Sequence, residues 1–405
     1  MCLHRCAGLG RFWAVLLFVP GVLVTGNGIA TEDPVVPGRE LAHRILLLDS
    51  HVDLPYRLLR KWEDVAIEGS GEFDWSKAKA GGLDAVFAAV YVPPALGAEE
   101  AFRQAEKLID LVDRLAESCP DRFVRADSPS EVEEASRNGK VALALGMENG
   151  TPLGESGEYL EHFVGRGIRY IGLAHSLSNF LADASYDETR LWQGLSPVGR
   201  RLVRRMNDMG VMVDVSHLSD AATEQVLEVT RAPVIASHSS CRAFTPGWER
   251  NLSDELIRRI AETGGVVQVN FGRMFLNDEY RRKQEEISRR FRSYLKARRL
   301  EAGSAEARAH LDALRAEAQP PQVTVADVAD HIEHIVSLVG IDHVGFGSDF
   351  EGLDGDLPVG LEDVSRYPAL LDELVRQGFS EEDVAKIAGG NFLRVWRAVE
   401  AAGKH

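Results

Sequence analysis

Several things are scarce in this chain of 405 residues, and each shortage excludes a class of protein. Basic charge is outweighed: 46 lysines and arginines face 62 aspartates and glutamates, and the net charge of -16 disfavours nucleic acid or an anionic membrane as partner. Cysteine is rare. Of four, Cys2 and Cys6 lie at the extreme amino terminus, so only Cys119 and Cys241 remain for the body of the chain. That is too few for a disulfide-held scaffold, although one bridge stays open in an oxidising compartment. There is no internal repeat and no low-complexity tract, and the last residues, Ala401-Ala402-Gly403-Lys404-His405, carry no apolar tail of the kind a lipid anchor needs.

The amino terminus has a different character. Arg5 and Arg11 flank an apolar stretch from Phe12 to Thr25, followed by Gly28-Ile29-Ala30. Basic, apolar and small residues in that order make residues 1–30 a signal peptide cleaved near Ala30, so the mature protein is expected to be exported, periplasmic or secreted. The stretch is short of the roughly 20 residues of a membrane span, which makes an uncleaved anchor the weaker alternative. No stable membrane anchor is expected after cleavage.

Residues 31–405 suit one large domain. Apolar runs rich in Val, Ile, Leu and Ala recur at 45–49, 85–91, 141–147, 169–174, 211–216, 233–237, 266–271 and 343–348. Continuous apolar runs are the mark of parallel strands buried on both faces. Helical patterns separate most of them, at 101–118, 199–209, 220–229 and 254–263. The alternation predicts an α/β chain, a (β/α)8 TIM-like barrel. One interval is abnormal: residues 272–322, after the seventh strand, are long and highly charged, with Ile287, Phe291, Tyr294 and Leu295 at helical spacing and Ser304 placed to cap a second helix to about Ala318. A solvated helical hairpin is expected. Because it leaves the carboxyl end of a strand, a lid or a homodimer contact is the sharper alternative. Two further helices, 361–376 and 380–398, are expected after the last strand.

Six of the apolar runs end in a metal-type ligand. The first ends in two, His51 and Asp53; the others finish at Glu148, His175, His217, His238 and Asp349. Active sites of such barrels form at the carboxyl ends of the strands, so the endings converge on one rim. Strand alternation sends His51 and Asp53 to the same side, where they can share one ion. His217 and His238 close consecutive strands and suit a second ion. Glu148 can bridge two ions through its two oxygens, with Zn2+ the default for such a nitrogen and oxygen set. Asp349 is the carboxylate available to orient and deprotonate a water. Each of these residues alone has a plain structural alternative, a satisfied core histidine or a salt-bridged acid; the ring of them does not.

At this point the chain resembles a known family. His51-Val52-Asp53, Met147-Glu148-Asn149-Gly150, Val215-Ser216-His217, Ser237-His238-Ser239-Ser240, Gly345-Phe346-Gly347-Ser348-Asp349-Phe350-Glu351-Gly352 and Gly390-Asn391-Phe392-Leu393-Arg394 look like the successive motifs of the renal (membrane) dipeptidases, which are zinc peptidases. The resemblance runs from about Leu46 to Val399. It implies two Zn2+ per chain, one held by His51 and Asp53, the other by His217 and His238, with Glu148 bridging and a hydroxide between the metals as nucleophile. It also implies that Asp349 is the acid/base carboxylate, that His175 stabilises the oxyanion, and that Arg250 binds the substrate's free carboxylate. His175, Arg250 and Asp349 would form the substrate-binding set. A dipeptide substrate follows, with tolerance of a carboxyl-terminal D-residue or a β-lactam amide. Other amidohydrolase activities (N-acyl amino acid deacylase, lactonase) and an inactive metal-binding homologue are the alternatives. Asn149 stands where a glycine is usual, and the insertion is longer than the family norm.

Other features are set aside. His331 and His334 lie on a helix expected to point to the far side of the barrel, His343 begins the eighth strand, and His43 and His162 are expected at the surface. Asn149-Gly150-Thr151 and Asn251-Leu252-Ser253 match the glycan acceptor pattern but adjoin site residues, so both are expected to be chance matches.

Overall fold

The computed structural model describes residues 36–404; the expected signal peptide lies outside the described residues. Nine strands form one parallel sheet: β1 (Leu48–Val52), β2 (Ala85–Tyr91), β3 (Phe123–Arg125), β4 (Val141–Glu148), β5 (Ile168–Gly172), β6 (Met212–Asp214), β7 (Val234–Ala236), β8 (Val266–Val269) and β9 (Val344–Phe346). Eight of them follow one another as β1-β2-β4-β5-β6-β7-β8-β9, with helices between. The ends meet. Val52 bridges Phe350 in parallel, the Asp53 amide donates to Phe350 O at 2.9 Å, and the Asp349 amide donates to His51 O at 3.1 Å. The (β/α)8 barrel is therefore nearly closed by the two segments that carry three of the expected site residues.

The main departures from the sequence reading are at the first strand and around β3. The first strand is Leu48–Val52 rather than 45–49, with a register shift between Asp49 and Val52. The short β3 and the helix Pro129–Arg137 are additions. β3 pairs with β4 from Val141 to Leu143, whereas β5 takes the same strand from Leu145 onward, so β3 is a side strand outside the barrel path. Three residues offer too little periodicity to read.

Alternation along the strands sorts side chains into two layers. Val86, Ala88, Val90, Leu143 and Leu145 face the surrounding helices, while Leu48, Phe87, Ala144, Tyr170, Met212 and Ile235 belong to a second buried cluster, in the barrel interior. That interior is plugged by the last helix, Asn391–Ala402: Phe392 and Trp396 lie 5.1 and 5.0 Å from the Phe87 ring. Fully burying one such ring contributes on the order of 1.5–3 kcal/mol. The plug closes one end, and the carboxyl-end rim is left to carry the site.

The insertion forms the expected hairpin. A short helix, Arg273–Leu276, leads into Asp278–Arg298 and then Ala305–Ala318, whose first turn Ser304 caps by accepting from the Ala307 amide. Cys119 and Cys241 are both free thiols, so the bridge left open by the sequence does not form. No described helix is long and apolar enough to cross a membrane.

Candidate active site and metal centre

Glycine and tyrosine set the floor of the site. Gly146 on β4 faces inward, and a Cβ there would sit 1.9 Å from Tyr170 Cζ, so only glycine admits the Tyr170 ring. Two residues on, Glu148 emerges on the same face above that ring. The Tyr170 hydroxyl donates to Ser50 O at 3.1 Å and meets His51 Nδ1 at 2.8 Å. Since its proton is committed to the carbonyl, the hydroxyl accepts from His51 Nδ1–H, which leaves Nε2 as the nitrogen that faces the carboxylates. That atom is buried without a hydrogen-bond partner and lies 3.6 Å from Asp53 Oδ2 and 3.6 Å from Glu148 Oε2.

The other imidazoles converge on the second oxygen. Glu148 Oε1 is 2.9 Å from His217 Nε2, 3.3 Å from His238 Nε2 and 3.6 Å from His175 Nε2. The two nitrogens of His217 and His238 are themselves 2.8 Å apart. Burial holds both histidines well below their ordinary pKa, and the Arg250 and His51 charges add to the effect, so both rings are neutral and their nitrogens are available as ligands. Burial works against the Glu148 charge, but His175 and His51 beside it hold the carboxyl well below the usual range.

Three overlapping groups have donor atoms within 4.8 Å of one another: His51, Glu148 and His238; Glu148, His175 and His217; His51, Asp53 and Asp349. Buried unpartnered nitrogen and oxygen atoms, including Asp53 Oδ1, facing one another across a few ångströms are what a divalent cation satisfies. The donor set fits such an ion. His175 sits as close to Glu148 as His51 does, at 3.6 Å, which the sequence did not suggest.

Asp349 closes the far side. Asn270 Nδ2 donates to its Oδ2 at 2.8 Å, while burial, with Asp53 and Glu148 nearby, raises its pKa well above the carboxylate range. A Cβ on Gly352 would lie 2.3 Å from Asp53 Oδ2 and 2.5 Å from Asp349 Oδ1, so glycine is required there for the two carboxylates to sit as they do. Three residues just past strand ends, Asn149 (φ 75), His217 (φ 70) and Asp349 (φ 65), adopt left-handed backbone. At His217 and Asp349 this conformation aims the side chain into the mouth. Asparagine is among the residues that tolerate it best, which suits Asn149.

Arg250 is almost wholly buried. Its Nη1 donates to Ser239 Oγ at 2.8 Å and its Nη2 to His238 O at 2.9 Å, and the guanidinium carbon lies 5.0 Å from the Phe275 ring centre. It therefore rests against the rim beside His217 rather than among the residues lining the open cavity. That cavity, of about 320 Å³, has Asp53 and Glu148 at its base and Tyr56, Tyr91, Tyr186 and Phe275 as aromatic walls. The walls were not foreseen; Phe275 comes from the first turn of the insertion.

Some residues set aside behave differently from expectation. His331 is fully buried near the rim, not on the far side: its Nδ1 accepts from the Cys241 amide at 3.0 Å and its Nε2 meets Leu276 O at 3.1 Å. The helix Val325–Val339 runs back from that rim, and His331 lies in its first half. Asn149 and Asn251 are buried and hydrogen-bonded, Asn149 Nδ2 to Val92 O at 2.8 Å and Asn251 Nδ2 to Phe275 O at 2.7 Å, so both are structural asparagines.

Comparison with known proteins agrees with this geometry. The family model for membrane dipeptidase (peptidase family M19) matches residues 38–405. The chain belongs to the membrane dipeptidase family. It is thus a metallodipeptidase-family hydrolase, with the His, Glu and Asp cluster as its candidate metal site. Dipeptidase tcpJ of Claviceps purpurea is 33% identical over 339 residues, covering 82% of this chain and 70% of that protein. An uncharacterized dipeptidase of Schizosaccharomyces pombe is 32% identical over 412 residues, covering 96% and 89%. Among solved structures, the probable dipeptidase PvdM from Pseudomonas aeruginosa superposes with a TM-score of 0.79 at 32% identity, covering 90% of this chain and 98% of that one. A Rhodobacter sphaeroides metallopeptidase bound to a phosphinate mimic of L-Ala-D-Ala gives a TM-score of 0.72 at 25% identity, covering 88% and 99%.

Proposed function

We propose that this membrane dipeptidase-family enzyme is an exported binuclear zinc dipeptidase that hydrolyses dipeptides, including those with a carboxyl-terminal D-residue. The observation that carries the reading is the convergence of His51, His217, His238 and His175 on the two oxygens of Glu148, with Asp53 against His51. His51 and Asp53 would hold one Zn2+, His217 and His238 the other, and Glu148 both. When bound, the two ions supply Lewis acidity at the scissile carbonyl and lower the pKa of a water at neutral pH.

The chain's own residues do the rest. Asp349, steadied by Asn270, takes the proton from the attacking water and returns it to the departing amine. His175, beside Glu148 at the cavity edge, donates to the carbonyl oxygen as it becomes tetrahedral. Arg250, now held against the rim by Ser239 and His238 O, would have to turn toward the mouth to pair with the substrate's free carboxylate, and that pairing would select short substrates. The aromatic walls exclude water around a ligand of dipeptide size. The neighbour that binds a mimic of L-Ala-D-Ala supports the extension to D-residues.

Hydrolysis of Gly-D-Ala and of an L,L-dipeptide panel is the test, with N-acylated amino acids alongside. Cleavage of free-amine dipeptides, abolished by a chelator and restored by Zn2+, is expected. Turnover confined to the acylated substrates, or none on the panel with two metals bound, would overturn the peptidase reading.

A further inference from the structure

His238 is held from behind by groups that the catalytic reading leaves unused. Its Nδ1 lies 2.7 Å from Ser237 Oγ, and Ser237 Oγ lies 2.6 Å from Asp214 Oδ2. The other Asp214 oxygen accepts from the backbone amides of Ser216 at 3.0 Å and Ser237 at 2.9 Å. Burial raises the Asp214 pKa, and these three donors counter it. Two backbone amides and a hydroxyl aimed at its oxygens favour the ionised form of Asp214, which only accepts, so the serine proton points to Asp214 and the serine lone pair faces the imidazole. Nδ1 must then carry the His238 proton. Its Nε2 is left bare, facing Glu148 Oε1.

The fold builds this chain deliberately low in the mouth. β6 and β7 run parallel with Asp214 beside Ile235, so Ser237, two residues on, shares the interior face of Ile235. On the other side, Gly172 of β5 pairs with Asp214. The other imidazoles are served differently. His51 Nδ1 reaches a neutral carbonyl through the Tyr170 hydroxyl, and His217 Nδ1 has no hydrogen-bond partner among the described residues. Of these three imidazoles, His238 has a carboxylate behind it.

We propose that Asp214 is a positioning residue that acts through the Ser237 hydroxyl to fix the tautomer and ring orientation of His238 for metal binding. The proposal rests on the binuclear reading above, in which His238 is a ligand. Outer-sphere partners of this kind typically change metal affinity by roughly 10–100-fold.

The test is a Zn2+ titration of the metal-free full-length protein against a chromophoric competing chelator, for wild type, Ser237→Ala, Ser237→Thr and Asp214→Asn. Ser237→Ala is expected to weaken one ion by about 10–100-fold and leave the other unchanged. Ser237→Thr, which keeps the hydroxyl, is expected to restore the affinity; Asp214→Asn is expected to follow Ser237→Ala. Wild-type affinities in Ser237→Ala, even with lowered thermal stability, would overturn the positioning role and leave only a structural one. A wild-type protein that takes up fewer than two ions would instead fail the binuclear reading, whatever the variants do.

Discussion

The barrel mouth and the hairpin after β8 are both dense in charged side chains, and they treat charge in opposite ways. In the mouth Glu148, Asp53, His217 and His238 are buried, and their atoms face one another with few other partners. In the hairpin the charges pair along helix faces, Arg282 with Asp278 and Lys283 with Glu279, or between helices, Arg290 with Glu317 at 2.9 Å, largely in solvent. The apolar anchorage of its two long helices is slight: Tyr280, Ile287, Ala307 and Leu314. Exposed pairs gain little because water screens them, whereas buried, unpartnered groups are costly until something cationic joins them. The mouth is thus poised for a ligand, and the hairpin is at rest.

Glu148→Gln should break that contrast most severely. Removing the one carboxylate common to four imidazoles is expected to reduce kcat/KM on a dipeptide by more than the roughly 100-fold upper range of outer-sphere changes, with loss of metal seen by elemental analysis. Unchanged turnover would mean the buried cluster is structural. A smaller effect is expected at His331, which joins the two regions by tying Leu276 of the insertion to Cys241 on the rim loop. Burial lowers its pKa from 6.5 to about 4. The unfolded chain therefore binds the extra proton first, and the neutral histidine's contribution, complete above pH 6.5, is lost as pH falls toward 4. The size is on the order of 3 kcal/mol. Urea unfolding of wild type and His331→Asn at pH 7 and pH 5 should show this part of the slope missing in the variant; equal slopes would remove His331 as its source. The least effect belongs to the hairpin: Arg290→Ala should leave the melting temperature and kcat/KM unchanged. A fall in kcat/KM would show that the hairpin acts on the mouth after all.

Much of this was legible because parallel strands buried on both faces must be written as apolar runs, and a polar residue ending such a run has to be at the rim. His51, Glu148, His217, His238 and Asp349 were all found by that logic, and the structure brings them together. Asp49 and Asp214 lie within the apolar strand runs, where the sequence alone assigns them no role. An aspartate inside a buried run was the available signal, but its meaning depends on partners far away: Ser348 and Tyr367 for Asp49, Ser237 for Asp214. His331 was misplaced because helix direction gives the side of the barrel only when the position along the helix is also known. Tyr56, Tyr91, Tyr186 and Phe275 line the cavity from four separate segments, and nothing local marks them as neighbours.

By itself the sequence determined the barrel, the family motifs and the residue types at the rim, since burial dictates period and composition strand by strand. Only the tertiary structure decided which way each imidazole nitrogen faces, because that depends on hydrogen bonds across strands: Tyr170 to His51, and Asp214 through Ser237 to His238. It also decided that the left-handed turns at His217 and Asp349 swing those side chains inward. Local preference opposes that conformation, and the closed ring of strands around it overrides the preference.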